Sequence, residues 1–378
     1  MQFSFSEEQD EFRNVLRRFL DDRSPTTAVR RLMETDSGMD SAVWQEVTRD
    51  LGLTAVHIPE DYGGQGFGPM ELSIVLEEMG RVLLCSPYFA STVLASTAIL
   101  EAADDAQKRN LLPALAAGER IGTLAFTEPN GRWDMGGIAM TATPAGNGFR
   151  LDGVKSFVLD GHSADLIVVA ARRPDSSGNE GIGLYTVAAD SKGLTRTPLK
   201  TMDPTRKQAK LSFDSVEAEL LGDPAVGAKA LEKTLQLACI ALSNEMVGGS
   251  QRLFDQVMDY TQTRMQFGRT IASFQAIKHR MADLLIEKEL SRSAAYYAAE
   301  AAQENDEDLP ALASLAKAST SDSYMSIAAN AIQLHGGIGF TWDNDTHLWY
   351  KRAKSSEVFL GDANHHRELL MQRWGNQA

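Results

Sequence analysis

The sequence predicts a mostly helical α+β protein in three parts: an N-terminal helical domain over residues 1–120, a small antiparallel β domain over residues 121–226, and a C-terminal four-helix bundle over residues 227–378. Two changes of pattern predict these boundaries. Short β-rich runs replace helical apolar spacing near residue 121, and long Ala-rich helical patterns return from about residue 227. A chain of 378 residues is long enough for two or three domains of ordinary size.

The first helix has a clear start signal. Ser6 and Gln9 form a capping-box pattern. The apolar residues that follow recur at i, i+3, i+4, i+7 and i+8, on one face: Phe12, Val15, Leu16, Phe19 and Leu20. Further helices are predicted over 41–51, 69–84, 90–103 and 105–117.

The second and third parts follow the same logic. Strands are predicted over Thr123–Thr127, Phe149–Leu159, Leu166–Ala171, Gly183–Val187 and Lys210–Phe213, because clusters of Gly, Pro, Asn and Ser separate these runs. Long helices are predicted over 229–264, 275–304 and 309–335, with a shorter one around 344–358.

Composition excludes several classes of protein. The net charge is 37 − 51 = −14, which disfavours nucleic acid and anionic membranes as partners. Two cysteines cannot form a disulfide framework, and no apolar run is long enough to span a bilayer, so we expect a cytoplasmic protein.

The adjacent His365 and His366 do not share a helical face, and we expect no metal site. Rossmann, Walker-A and nucleophile-elbow motifs are missing from the sequence.

Four segments stand out instead. They are Phe126–Pro129, the run Lys155–Asp165, Arg264–Arg269 with Gln275 beyond it, and Gln333–Trp342. Singly, each has an ordinary explanation as a strand end, a helix–turn–helix corner or a glycine helix cap. In this order and on this architecture, however, they resemble the acyl-CoA dehydrogenase family of flavoproteins, and the resemblance covers nearly the whole chain.

The resemblance implies that the chain binds FAD. Carried over by motif, three residues lie against the isoalloxazine ring: Phe126, Thr127 and Phe157. Three more meet the adenine and pyrophosphate portion, in the family usually of a neighbouring subunit's FAD: Arg264, Phe267 and Gln275. A last group approaches the pyrophosphate: Gln333, Gly336 and Gly337. These residue types suit those roles, because glycine admits phosphate close to main-chain N–H groups and aromatic faces stack on flat rings.

The catalytic base departs from the family pattern. The family removes the α-proton of an acyl-CoA with a carboxylate while the β-hydrogen leaves as hydride, yet its two usual base positions hold Leu360 and Ala238 here. Glu245 and Asp362 are the candidate replacements. Each also has a structural interpretation: Glu245 as the partner of an arginine or a backbone amide, and Asp362 as a helix N-cap.

The resemblance also implies partners and alternatives. The substrate is an acyl-CoA. After Pro129 the chain has Asn130–Asp134 where the family usually has Gly-x-Gly-Ser-Asp, and Leu159 replaces a residue that commonly carries a hydroxyl group. These changes are similar to those of a branch acting on bulky or steroid side-chain acyl-CoAs. An electron-transfer flavoprotein is the expected acceptor, and the expected assembly is a homo- or hetero-oligomer, a dimer or tetramer. The resemblance therefore implies an FAD-dependent acyl-CoA dehydrogenase that introduces an α,β double bond into an acyl-CoA. Two alternatives stay open: a base-lacking subunit that completes a heteromeric FAD site, and an acyl-CoA oxidase or flavin monooxygenase on the same fold.

Overall fold

The computed structural model describes residues 5–375. The chain folds into two compact units. One unit comprises Met1–Arg30, Pro69–Leu84 and Cys239–Ala378, and the other comprises Arg31–Gly68 and Cys85–Ala238. The boundaries predicted at 120/121 and 226/227 divide the chain differently and stay a prediction.

The N-terminal part is helical, as predicted. Its α-helices are α1 (Glu7–Arg23), α2 (Thr26–Met33), α3 (Ser41–Gln45), α4 (Pro69–Arg81), α5 (Thr97–Ala102) and α6 (Asp105–Ala116). The capping box of α1 is confirmed, since the Gln9 N–H donates to Ser6 Oγ over 3.2 Å and the Ser6 N–H donates to Gln9 Oε1 over 3.0 Å. Two segments, Glu46–Asp50 and Phe89–Ser96, are wound as π-helix rather than α-helix.

The middle part forms a seven-stranded sheet. Its strands are β1 (Gly122–Ala125), β2 (Thr141–Ala145), β3 (Gly148–Leu159), β4 (Leu166–Arg172), β5 (Ile182–Ala188), β6 (Leu194–Pro198) and β7 (Gln208–Leu220). The strand order is β1-β4-β2-β3-β7-β5, with β6 beside β7 and an added pairing of β4 with β5 that closes the sheet on itself. All pairings are antiparallel except those of β4 with β1 and β2. A cluster of buried side chains fills the interior, among them Leu151, Val169 and Leu211.

The C-terminal part is a set of long helices, as predicted. They are α7 (Gly227–Thr263), α8 (Gln275–Glu304), α9 (Leu309–His335), α10 (Thr346–Val358) and α11 (Ala363–Gly375). Ala298, Ala299 and Ala316 are fully buried. Their small side chains let the helix backbones approach closely. No helix among residues 5–375 combines the length and the apolar character that crossing a membrane requires.

The Arg264–Arg269 segment connects α7 to α8 through a hairpin of β8 (Met265–Gln266) and β9 (Arg269–Thr270). The turn residues Phe267 and Gly268 have φ of +53° and +76°. Positive φ at both turn positions is typical of a two-residue hairpin turn.

Candidate functional site

Phe126, Thr127 and Phe157 lie together in the unit that contains the sheet. Phe126 and Thr127 follow the end of β1, and both are buried. The Ser156 N–H donates to the Thr127 carbonyl over 2.8 Å, which ties this segment to β3. Phe157 has a φ of +59° and an exposed fraction of 44%. The exposed ring of Phe157 therefore lies next to a segment after β1 that a main-chain hydrogen bond holds in place.

A buried ion pair supports these residues, and it was not predicted. Lys155 Nζ donates to Glu128 Oε1 over 2.8 Å and to the Phe126 carbonyl over 3.2 Å. Burial lowers the pKa of Lys155 to about 8, although the Glu128 carboxylate opposes that shift. The available signal was a lysine in a predicted strand, next to Val154 and two residues before the apolar run Phe157–Leu159.

Arg264, Phe267 and Gln275 are grouped around the β8–β9 hairpin of the other unit. All three are exposed, and Phe267 at the hairpin tip has an exposed fraction of 90%. The Ile271 N–H donates to the Arg264 carbonyl over 2.9 Å and closes the hairpin base. An exposed aromatic ring, a guanidinium and an amide thus share one protruding element.

Gln333, Gly336 and Gly337 lie where α9 ends, and all three are exposed. Gly336 has a φ of +67°, and no protein atom lies within 4 Å of a Cβ built at Gly336 or Gly337. Main-chain N–H groups with open space in front of them are suited to phosphate oxygens. This helix end therefore fits the pyrophosphate portion of FAD.

The connection between α10 and α11 contains Leu360, at the family's usual base position. Leu360 is buried, and its φ of +63° is unusual for a side chain of that type. The fully buried Lys317 donates to the carbonyls of Gly361, over 2.9 Å, and Glu357, over 3.0 Å. His366 Nε2 lies 2.9 Å from the Leu360 carbonyl. Among the described residues, the Leu360 N–H has no hydrogen-bond acceptor.

Glu245 lies on α7 and is buried against two other helices. Its Oε1 accepts a hydrogen bond from Arg352 Nη1 of α10 over 2.7 Å, and both side chains are at least nine-tenths buried. A Cβ built at Gly80 of α4 would lie only 2.1 Å from the Glu245 carbonyl oxygen. Glu245 therefore occupies a close helix crossing with its charge paired.

Asp362 is exposed at the start of α11. Its Oδ1 accepts a hydrogen bond from the His365 N–H over 2.8 Å, which is the arrangement of a helix N-cap. Among the described residues, no group of three or more His, Cys, Asp and Glu side chains is arranged to hold a metal ion.

The small residues of α7 serve helix packing. Ala238, Ala241 and Ser243 are buried. A Cβ at Gly248 would lie 1.8 Å from the Glu77 carbonyl oxygen of α4. At Gly248 the backbone of another helix, rather than an open cavity, fills the space.

Three family models match the chain in order. They are the acyl-CoA dehydrogenase N-terminal domain over residues 6–119, the middle domain over 123–216 and the C-terminal domain over 226–375. Acyl-CoA dehydrogenase IpdE2 of Mycobacterium tuberculosis is 33% identical over 361 residues, which cover 94% of this chain and 93% of the relative.

Solved structures agree with this match. A variant of the Tcur3481-Tcur3483 steroid ACAD is 31% identical, with a TM-score of 0.89 and 98% of each chain covered. The ChsE4-ChsE5 complex from Mycobacterium tuberculosis contains a chain that is 25% identical, with a TM-score of 0.90 and 99% of each chain covered. The chain therefore belongs to the acyl-CoA dehydrogenase family, whose FAD-dependent members introduce an α,β double bond into acyl-CoA thioesters.

Proposed function

We propose that this chain is the flavin-binding, base-lacking subunit of a two-chain acyl-CoA dehydrogenase that acts on a bulky acyl-CoA. The observation that carries the proposal is the state of the base positions. Leu360 and Ala238 have no ionisable group, and both nearby carboxylates have structural partners: Arg352 for Glu245, and the first turn of α11 for Asp362.

Proton abstraction from the substrate needs a carboxylate free to reach the α-carbon. If Glu245 left Arg352, a buried ion pair would be broken, at a cost of about 3–5 kcal/mol. Asp362 would have to give up the His365 N–H, and its short side chain extends from an exposed position. A base supplied by a second chain avoids both costs.

The chain's own contribution is to hold FAD and the thioester. Phe126, Thr127 and Phe157 would contact the isoalloxazine ring, and FAD when bound accepts the β-hydrogen as hydride. The pyrophosphate would be held by the N–H groups of Gly336 and Gly337 with the Gln333 amide. The residues around the β8–β9 hairpin, Arg264, Phe267 and Gln275, would hold the adenine and pyrophosphate portion of a neighbouring subunit's FAD. The Leu360 N–H, which has no acceptor among the described residues, is suited to polarise the thioester carbonyl.

Likeness to named proteins supports the two-chain assembly and the substrate class. One matched structure is a complex of ChsE4 and ChsE5, and another is a steroid ACAD. We therefore assign a bulky, steroid-type acyl group to the substrate and an electron-transfer flavoprotein to the acceptor role. Rapid reoxidation of the reduced flavin by oxygen would instead favour the oxidase or monooxygenase alternative.

The test is purification of the tagged chain with its partner, followed by turnover measurements on the complex. Glu245→Gln and Asp362→Asn are expected to leave kcat of the folded complex within about twofold, because neither carboxylate removes the proton. Substituting the acidic residue of the partner chain that faces the flavin should abolish turnover. Loss of activity in folded Glu245→Gln or Asp362→Asn would show that this chain is self-sufficient and would overturn the proposal.

A further inference from the structure

Lys155 is a fully buried charged residue for which the proposed chemistry has no use. Its exposed fraction is 0%, and it lies on β3 among apolar neighbours. Lysine is seldom buried, because its ammonium group loses hydration that only close polar partners replace. An apolar residue such as leucine could fill this position without that loss of hydration, so the ammonium group must have a role of its own.

The partners of Lys155 belong to the segments assigned to the flavin ring. Its Nζ donates to the Phe126 carbonyl over 3.2 Å and to Glu128 Oε1 over 2.8 Å. One ammonium group therefore binds the residues before and after Thr127. The Ser156 N–H, next in sequence, donates to the Thr127 carbonyl over 2.8 Å. Three consecutive residues after β1 are thus fixed to two consecutive residues of β3.

Glu128 extends the connection to a third segment. Its carboxylate also accepts hydrogen bonds from the main-chain N–H groups of Ala139, over 3.0 Å, and Met140, over 2.9 Å. The loop between Glu128 and Met140 is therefore held at both ends by one carboxylate. Removing the ammonium would leave that carboxylate buried with main-chain donors alone.

Phe157, two residues beyond Lys155, has a conformation that needs support. Its φ of +59° is rare for an aromatic residue and costs roughly 1–3 kcal/mol. The pairing of β3 with β7 shifts register between Lys155 and Val158, so ladder hydrogen bonds do not fix Phe157 itself. The last fixed residues before the irregularity are Lys155 and Ser156.

We propose that Lys155 is a positioning residue for the flavin: with Glu128, its ammonium holds Phe126, Thr127 and Phe157 in the arrangement that receives the isoalloxazine ring. The inference rests on the proposed assignment of those three residues to FAD. Lys155 acts through its neighbours and touches no reacting atom.

The same geometry predicts a dependence on pH. The charged groups that influence Lys155 are Glu128, beyond β1, and Arg172 of β4. Its partner across the sheet, Leu211 of β7, is apolar. Burial lowers the pKa of Lys155 to about 8, with Glu128 raising it and Arg172 lowering it. The ammonium is therefore protonated at neutral pH and loses its proton above pH 8, so FAD affinity should fall there.

The experiment compares Lys155→Met with Lys210→Met in the full chain, together with any partner chain that co-purifies. Lys210 is the matched control, because it is an exposed lysine on β7, the strand that pairs with β3. Flavin fluorescence gives the FAD dissociation constant, the visible spectrum reports the surroundings of the ring, and circular dichroism of the apoprotein reports folding. Lys155→Met should raise the dissociation constant about tenfold or more and change the shape of the flavin band. Lys210→Met should change neither.

Two further arms keep the inference testable if Lys155→Met does not fold. Glu128→Gln keeps an acceptor for the main-chain N–H groups but removes the counter-charge, and it should also weaken FAD binding. The unmodified protein should bind FAD more weakly at pH 9 than at pH 7. Unchanged affinity and spectrum in the folded variants, or equal affinity at both pH values, would overturn the role of Lys155 alone. Failure of the unmodified protein to bind FAD would overturn the flavin assignment as well.

Discussion

At the residue scale, the pairing of Glu245 with Arg352 makes a stability prediction. Glu245→Gln removes the carboxylate from the buried ion pair with Arg352, so the free energy of unfolding should fall by about 3–5 kcal/mol. Urea denaturation measures this change. The double variant Glu245→Leu/Arg352→Met should recover most of the loss, because it removes both charges. A Glu245→Gln variant as stable as the unmodified protein would show that the pair contributes little.

His366 makes a prediction for acid conditions. Burial, helped by the nearby Lys317, lowers the pKa of His366 from its ordinary 6.5 to about 3, while the bond to the Leu360 carbonyl opposes the shift. Between these two pH values the unfolded chain binds a proton that the folded chain does not. The free energy of unfolding should therefore fall as pH drops below 6.5, by up to about 1.4 kcal/mol per pH unit from this group.

The matched comparison is His366→Gln against His365→Gln, since His365 is its half-exposed neighbour. Denaturant melts between pH 7 and pH 4 should show a shallower pH slope in His366→Gln only. An equal slope in the two variants would mean that His366 is not responsible for the acid sensitivity.

At the element scale, the crossing of α4 and α7 depends on glycine. A Cβ at Gly248 would lie 1.8 Å from the Glu77 carbonyl oxygen, so Gly248→Ala must push the helices apart. Overpacking of this kind costs about 1–3 kcal/mol, measurable as a lower midpoint in urea. Gly337→Ala, compared in the apoprotein so that FAD binding does not contribute, is the control, because no protein atom lies within 4 Å of its Cβ, and it should leave the midpoint unchanged. Equal midpoints for Gly248→Ala and the unmodified chain would contradict the close crossing.

The long elements were predictable because their signals are local. Helical spacing and the Ser6 capping box are confirmed, and so is the β texture of the middle part. The hairpin at Arg264–Arg269 was not predicted, because its tip requires positive φ at Phe267, an unfavourable conformation for that residue type. The Lys155–Glu128 pair escaped prediction for a different reason: its partners are 27 residues apart, and their contact depends on sheet pairing.

The candidate site divides in the same way. Motif resemblance alone identified the flavin residues, and their functional roles stay predictions. The alternatives for Glu245 and Asp362 could not be separated from spacing, because the choice depends on Arg352, 107 positions away from Glu245, and on where α11 begins. Contacts between residues far apart in the sequence decide whether such a carboxylate is free or structurally paired.

At the scale of the whole molecule, the chain has segments that resemble the family's flavin-binding motifs, while the two positions where the family usually has its base hold Leu360 and Ala238. The three family domains match in order, and the glycines and aromatic residues expected to contact FAD are present and exposed at Phe157, Phe267 and Gly336. Leu360 nevertheless stands where members of the family usually have a proton acceptor. This combination is understandable if a second chain provides the base.

The most direct test is an anaerobic titration of the chain purified alone with a steroid-type acyl-CoA, followed through the oxidised flavin band. We predict that the acyl-CoA does not bleach the flavin of the isolated chain, and that addition of the partner chain restores bleaching. Prompt bleaching in the isolated chain, in proportion to added acyl-CoA, would show that this chain carries its own base and would contradict the account.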